Sequence, residues 1–392
     1  MGSDLKTNFC GIEFKNPVIV PAGVHGRDGD VMRRTGESGV AGICTKTIVS
    51  QPAADVLPCF SAVTGGMVNS VFGSDKSAEY WFTEGIRRAR QGRSRVIANL
   101  AGFTPEEAAE LAAKAESAGA EMIMLPTHCP HMGEILCAMY PGMPFPEPKL
   151  TDLTPMKESV RLMKQAVEIP IVVKLSGTFF NIVGQWAKGV SEAGADGIAC
   201  SDALGPALGI DLRTGEPALG GPRGVGGLTG AAIMPITLRM VLEAAMTVDL
   251  PVIGIGGAST AEDVIRYVMA GATLVGVCTA GHIAGYAAYS RIIEKIPAIL
   301  EKYGYGSLDE IRGLTIRRIE RRKERGMQAV TEPVPAVIAP EACIACGRCV
   351  RACAYEAIIM EEKARVRPER CIGCGLCVSV CPSGAIEQNY YR

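Results

Sequence analysis

The chain has 392 residues, and 48% of them are hydrophobic against 21% charged, so a large core can be buried and disorder is excluded as the main state. Forty basic residues against 41 acidic ones leave a formal charge of −1, with no basic excess to draw nucleic acid or a membrane surface. No apolar run approaches the ~20 residues of a membrane helix, and Met1-Gly2-Ser3-Asp4 opens no signal peptide. A cytoplasmic protein is expected.

Up to about residue 300 one unit repeats. A short apolar run bounded by Gly, Pro or Asp is followed by an Ala-rich stretch at helical period. The runs are Pro17–Ala22, Gly42–Thr47, Val96–Ala101, Met122–Thr127, Ile171–Ser176, Gly197–Ser201, Pro251–Gly256 and Leu274–Thr279. Each is apolar throughout, as expected of parallel strands covered on both faces. Between them, Pro105–Ala118, Pro155–Val167, Asn181–Ala193 and Ala231–Met246 read as amphipathic helices. Ala-Gly-Ala recurs at residues 118–120, 193–195 and 270–272, where a Gly suits a helix C-cap leading into a strand. Eight such units predict an α/β fold, a (β/α)8 barrel over residues 1–305. An open doubly wound sheet is the rival, which periodicity alone does not exclude. In a barrel the chemistry sits at the C-terminal strand ends, here rich in Gly and polar residues.

The stretch 306–340 reads as a linker. The basic run Arg317–Arg325 suits a solvated helix end, and Pro333–Pro340 an extended segment. Eight of the 15 cysteines follow, between Cys343 and Cys381. Cys343-x2-Cys346-x2-Cys349-x3-Cys353 recurs as Cys371-x2-Cys374-x2-Cys377-x3-Cys381-Pro382. This is the spacing of two-cluster ferredoxins, in which three close cysteines wrap one cluster and the fourth crosses to the other. One 4Fe-4S cluster is expected on Cys343, Cys346, Cys349 and Cys381, and a second on Cys371, Cys374, Cys377 and Cys353. Zinc ribbons, the alternative, leave a longer gap between their Cys-x2-Cys elements. Residues 341–392 therefore read as a small α+β ferredoxin-like domain. Ala354 stands where Pro is common after the fourth cysteine.

Clusters move single electrons, so the barrel needs a group that converts electron pairs into single electrons, and a flavin does this. Gly254-Ile255-Gly256-Gly257 and Cys278-Thr279-Ala280-Gly281, at the ends of the last two strands, suit its phosphate, although glycines also serve tight turns there.

Over residues 5–305 the chain resembles the FMN-dependent dihydroorotate dehydrogenase superfamily. With its ferredoxin-like tail it looks most like the catalytic part of dihydropyrimidine dehydrogenase, including the bacterial two-subunit form. The resemblance rests on Asn16–Gly23, Thr45-Lys46-Thr47, Gly66–Asn69, Ile97–Gly102, Cys129-Pro130-His131, Val173-Lys174-Leu175, Gly194–Gly197, Gly226–Gly230 and Ile255-Gly256-Gly257. It implies that Ala22, Gly23, Thr47 and Asn99 line the flavin ring and that Lys46 lies close to ring and substrate. Lys174 is implied near the flavin N1 edge or ribityl chain. Gly227, Gly256, Gly257, Cys278 and Thr279 are implied to cradle ribityl and phosphate, and Asn69 to bond the substrate. Cys129 matches the general acid/base. Cys137 is its rival in the same region, and His128 and His131 flank it. Cys10, Cys44, Cys59 and Cys200 lie in or near apolar runs and read as core.

Two substrate-reading segments depart from the family pattern. Pro126-Thr127-His128 stands where Asn-Leu-Ser is usual, and Ser201-Asp202 where Asn-Thr is usual. Asp202 can accept from a substrate N–H or repel an anion. The expected function is oxidation or reduction of a C=C/CH–CH bond in a small, cyclic, dihydropyrimidine-like substrate. Electrons would pass through the clusters to an NAD(P)H-oxidising flavoprotein subunit or a ferredoxin, in a homo- or hetero-oligomer, because no nicotinamide-binding βαβ unit is visible. The competing reading is an electron-transfer or scaffold subunit whose flavin barrel has lost its substrate chemistry.

Overall fold

The computed structural model describes residues 4–127, 133 and 149–389. His128, Cys129, His131 and Cys137 therefore lie outside the described residues. The chain divides into two compact units, Met1–Glu320 and Arg321–Arg392.

In the first unit all eight expected strands form: β1 (Val18–Val20), β2 (Gly42–Cys44), β3 (Arg95–Asn99), β4 (Met122–Pro126), β5 (Ile171–Leu175), β6 (Gly197–Cys200), β7 (Val252–Ile255) and β8 (Ala272–Gly276). Each pairs in parallel with the next, and β8 returns to β1 with Val275 opposite Val18. The sheet is thus a closed barrel, and the open-sheet rival falls. Most strands stop short of the apolar runs that encode them. Lys46-Thr47, Ser201, Gly256 and Cys278-Thr279 lie past the strand ends, free of the ladder and available to a ligand.

Period-2 alternation divides the barrel strands between two cores. Val18 and Val20 pack outward against the helices. Ile19, Ile97, Met124, Val172 and Ile253 fill the barrel interior with Phe9 and Phe14. Those two rings come from an antiparallel hairpin, Thr7–Phe9 with Ile12–Phe14. A Cβ on Gly197 would meet the Phe9 ring at 2.9 Å, which requires glycine there.

The helices follow the sequence reading within a few residues. Pro105–Ser117 begins on Thr104, whose side chain accepts from the Glu107 N–H. Ala261–Met269 begins on a capping box of Thr260 and Asp263. Gly119, Gly194 and Gly271 in the Ala-Gly-Ala turns take φ of +96°, +97° and +114°, the left-handed C-cap geometry. Cys44 and Cys200 are core, whereas Cys10 and Cys59 are only half-buried.

The sequence reading missed a four-stranded antiparallel sheet of Phe60–Val63, Gly66–Asn69, Val225–Thr229 and Leu204–Leu208. Its strands are inserted in the loops after β2 and β6. The second unit holds two small antiparallel pairs, Val337–Ile338 with Ile386–Glu387 and Ile358–Met360 with Ala364–Val366. Its two short helices, Arg348–Ala352 and Leu376–Val380, each follow a left-handed glycine, Gly347 and Gly375. No described helix is long and apolar enough to cross a membrane.

Candidate active site and cluster domain

A cavity of about 410 Å³ opens at the C-terminal strand ends. Its size is that of a cofactor site. Ala22 and Gly23 reach it after β1, Lys46 and Thr47 after β2, Lys174 from β5, and Ser201 and Asp202 after β6. Gly256 and Gly257 follow from β7, and Cys278 and Thr279 from β8. Phe60, Met67, Asn69 and Thr229 of the inserted sheet also line it. The structure thus gathers most of the residues singled out from sequence. Asn99 and Gly227 do not line the cavity.

Those two residues buttress it instead. The Asn99 amide donates to Thr47 Oγ1 at 2.7 Å. Its Oδ1 is buried and has no hydrogen-bond partner among the described residues. Such an orphaned acceptor is costly unless a bound group donates to it. Gly227, in a strand of the inserted sheet, accepts through its carbonyl from Asn69 Nδ2 at 3.2 Å.

The two lysines of the cavity are held differently. Lys46 Nζ sits 2.7 Å from Asp55 Oδ2, with only 5% of its side chain exposed. Asp55 also accepts from the Phe72 N–H at 3.1 Å, which ties the loop after β2 to the inserted sheet. Sequence reasoning missed Asp55, because no motif marks it. Lys174 has no ion pair or hydrogen bond through Nζ among the described residues and is 9% exposed. Asp202 Oδ1 accepts from the Gly177 N–H at 3.0 Å. Burial pushes the Asp202 carboxyl up to about 6, against the opposing pull of Lys174. The Ser201 hydroxyl is spent on the Asp202 carbonyl at 3.1 Å.

One wall carries a second missed residue. His282 Nε2 lies 3.7 Å from Cys278 Sγ, one helical turn away. Burial raises the Cys278 thiol to about 12 and lowers the His282 imidazole, so both are neutral at pH 7. His25 packs edge-on against His282 and bonds Tyr289 through Nδ1 at 2.7 Å. Burial, then His282, lowers His25 to about 4.

Glycine is required on the neighbouring wall, past β7. Gly256 and Gly257 have φ of +124° and +87°. A Cβ on Gly257 would strike the Gly230 carbonyl oxygen at 2.7 Å. Backbone can therefore approach a bound phosphate closely here. These glycines, the orphaned Asn99 acceptor and the unpaired Lys174 ammonium fit a flavin mononucleotide, whose reduced ring and phosphate are anionic.

In the C-terminal unit, Cys343, Cys346, Cys349 and Cys381 line one hollow, the first quartet expected from the spacing. Amides of Ala364 and Ala345 pull the Cys343 thiol below its ordinary value. Burial opposes the same shift at Cys381, but Ser383 and the Ala385 amide outweigh it. Amide-stabilised thiolates are the ligands a cluster needs. Cys377 is pushed up first by burial and next by Cys371, its neighbour in the second trio. Cys353 packs in the same core and accepts from the Ala357 N–H at 3.3 Å. No three His, Cys, Asp or Glu side chains among the described residues close in on a single ion. Ligands of a cubane stand further apart, since each takes a separate iron.

Residues 4–300 match the family described as dihydroorotate dehydrogenase, and residues 336–388 match a 4Fe-4S dicluster domain. A relative in Methanothermobacter thermautotrophicus, "Dihydroorotate dehydrogenase B (NAD(+)), catalytic subunit", is 33% identical over 79% of this chain and 98% of its own. Relatives of the same description in Alkaliphilus metalliredigens and Geobacillus kaustophilus are each 32% identical over 79% of this chain, and over 98% and 95% of theirs. The relatives are nearly used up by the match, so about a fifth of this chain has no counterpart in them. The chain belongs to the dihydroorotate dehydrogenase family, as an oxidoreductase of CH–CH bonds with FMN in its barrel and two 4Fe-4S clusters in its C-terminal domain.

Proposed function

We propose that the barrel oxidises or reduces a CH–CH/C=C bond in a small, cyclic, dihydropyrimidine-like molecule. The C-terminal clusters exchange its electrons with a partner, either an NAD(P)H-oxidising flavoprotein subunit or a ferredoxin. The observation that carries this reading is the convergence of Lys46, Asn69, Lys174 and Asp202 on one cavity at the barrel's C-terminal end. The names of the relatives, catalytic subunits of an NAD-linked enzyme, support a separate electron partner.

Bound FMN supplies hydride chemistry and the change from electron pairs to single electrons. The chain's own groups do the rest. Lys174 offers an unpaired ammonium that favours an anionic ring. Asn69, anchored on Gly227, presents its amide oxygen to a ring N–H. The Asp202 carboxylate accepts from a second N–H. Cys129, assigned by resemblance, moves the proton on the carbon beside the one that exchanges hydride.

The test is the flavin half-reaction. Photoreduced holoenzyme is mixed anaerobically with uracil, thymine and orotate, and flavin absorbance is followed. Reoxidation by at least one of them is expected. No reoxidation by any, with clusters and flavin intact, would instead establish an electron-transfer subunit.

A further inference from the structure

The charge pattern of the cavity bears on which rings it admits. This argument rests on the reading above, that a small ring binds over the flavin. Two lysines and one carboxylate line the cavity, and no arginine does. Lys46 is held by Asp55 at 2.7 Å, and Asp55 is itself fixed by the Phe72 N–H. Lys174 faces Asp202, whose carboxyl it draws down. Lys174 makes no ion pair among the described residues, and the reading above assigns it to the anionic flavin, so it too is taken. Among the described residues no further Lys or Arg lines the cavity. FMN brings further negative charge through its phosphate and reduced ring. A carboxylate on the substrate would therefore be buried with no cation to spare, which is strongly disfavoured.

We propose that Asp55 is a specificity-determining residue: by occupying the Lys46 ammonium it closes the cavity to carboxylate-bearing rings and selects an uncharged ring. The acceptor oxygen of Asp202 then favours a ring with N–H groups. The pairing also positions Lys46. A fully extended lysine could swing toward solvent, but a 2.7 Å contact to a tethered carboxylate keeps its nitrogen at the cavity wall.

The experiment uses holoenzyme and titrates the flavin spectrum with uracil and with orotate at pH 7. Wild type is expected to bind uracil more tightly than orotate, by at least about tenfold. Asp55→Asn leaves Lys46 unpaired, and the preference should move toward orotate by at least about tenfold, with FMN content unchanged. Asp55→Glu keeps the charge and should keep the wild-type preference, a rescue that a merely structural role for Asp55 would not produce. Orotate binding wild type as tightly as uracil would overturn the proposal, whatever the variants do. So would an unchanged orotate-to-uracil ratio in Asp55→Asn. Should Asp55→Asn fail to hold flavin, the wild-type ratio and Asp55→Glu still decide. If neither ring perturbs the wild-type flavin, the reading of the substrate fails, and the role of Asp55 with it.

Discussion

The two units hold their cofactors in opposite ways. In the C-terminal unit the cysteines proposed as cluster ligands belong to the core. Cys349 and Cys377 are buried with Ala336, Ile358, Ala364 and Ile386, and four more ligand cysteines pack against them. In the barrel the cores are complete without any cofactor residue that moves charge. Lys46, Lys174 and Asp202 stand at the rim of a strand layer already filled by Ile19, Met124, Val172 and Ile253. A unit of 72 residues with so small a core, two of whose six buried members are cysteines, should need its metal to fold, as small metallo-domains do. A barrel with two aliphatic cores should fold first and bind flavin afterwards.

The largest effect should come from breaking the cluster side. Cys377→Ala removes a buried ligand and part of the core together. Turnover driven through an electron partner should be lost, and amide exchange should rise across residues 336–388. Flavin content and the direct flavin–substrate half-reaction should stay as in wild type. Partner-driven turnover at the wild-type rate would show that electrons reach the flavin by another route.

Cys129→Ala is the corresponding cut in the barrel. Loss of a general acid/base should slow flavin–substrate exchange by ~10²–10⁴-fold. Iron and flavin content should not change if Cys129, as the resemblance implies, serves proton transfer alone. Cys129→Ser should recover in part at high pH, since a hydroxyl is a weaker acid than a thiol. A full effect of Cys137→Ala with none at Cys129 would reassign the proton to the rival thiol.

How much of each unit can be read in advance follows from the same contrast. Cluster sites are set by local spacing, so the eight cysteines expected to serve stand out in one short segment, and the structure brings Cys343, Cys346, Cys349 and Cys381 to one hollow. The barrel strands are legible because burial on both faces makes each largely apolar, as in Met122–Pro126. The inserted sheet is not legible. Its strands are short and Gly-rich, and Asn69 meets Gly227 across 158 residues of chain. Asp55 is not legible either. Its partner Lys46 is nine residues away, across a turn with no periodic pattern, and an ion pair leaves no trace in composition. The inserted sheet arises where distant loops meet, whereas Asp55 and His282 are local partners of Lys46 and Cys278 that no motif marks.

A smaller change tests whether flavin binding is a property of the rim alone. Gly257→Ala must place a Cβ 2.7 Å from the Gly230 carbonyl at φ +87°. Backbone cannot yield as a side-chain tip would, so the cradle should shift at a cost of ~1–3 kcal/mol, or roughly 5- to 150-fold in FMN affinity. Equilibrium dialysis of the apo-flavin protein measures this. The iron-sulfur EPR signals should be unchanged, because the two units share no core residue.

The finest test concerns Asp202, where barrel stability and ligand selection pull against each other. Burial raises its carboxyl from 3.8 to about 6, so the folded protein holds this proton more tightly than the unfolded chain does. Ionising Asp202 therefore costs stability. The cost is absent below pH ~4, grows as pH rises from 4 to 6, and is complete above 6. Asp202→Asn removes the charge while keeping an acceptor for the Gly177 N–H. It should stabilise the barrel at pH 7 to 8 by up to about 2 kcal/mol, and the gain should vanish toward pH 4. Denaturant midpoints of the flavin signal at several pH values measure it. The same substitution should weaken a ligand whose N–H bonds the carboxylate, by about 1–3 kcal/mol. A gain in stability without loss of any ligand would mean that Asp202 serves the Gly177 turn alone and does not read the substrate.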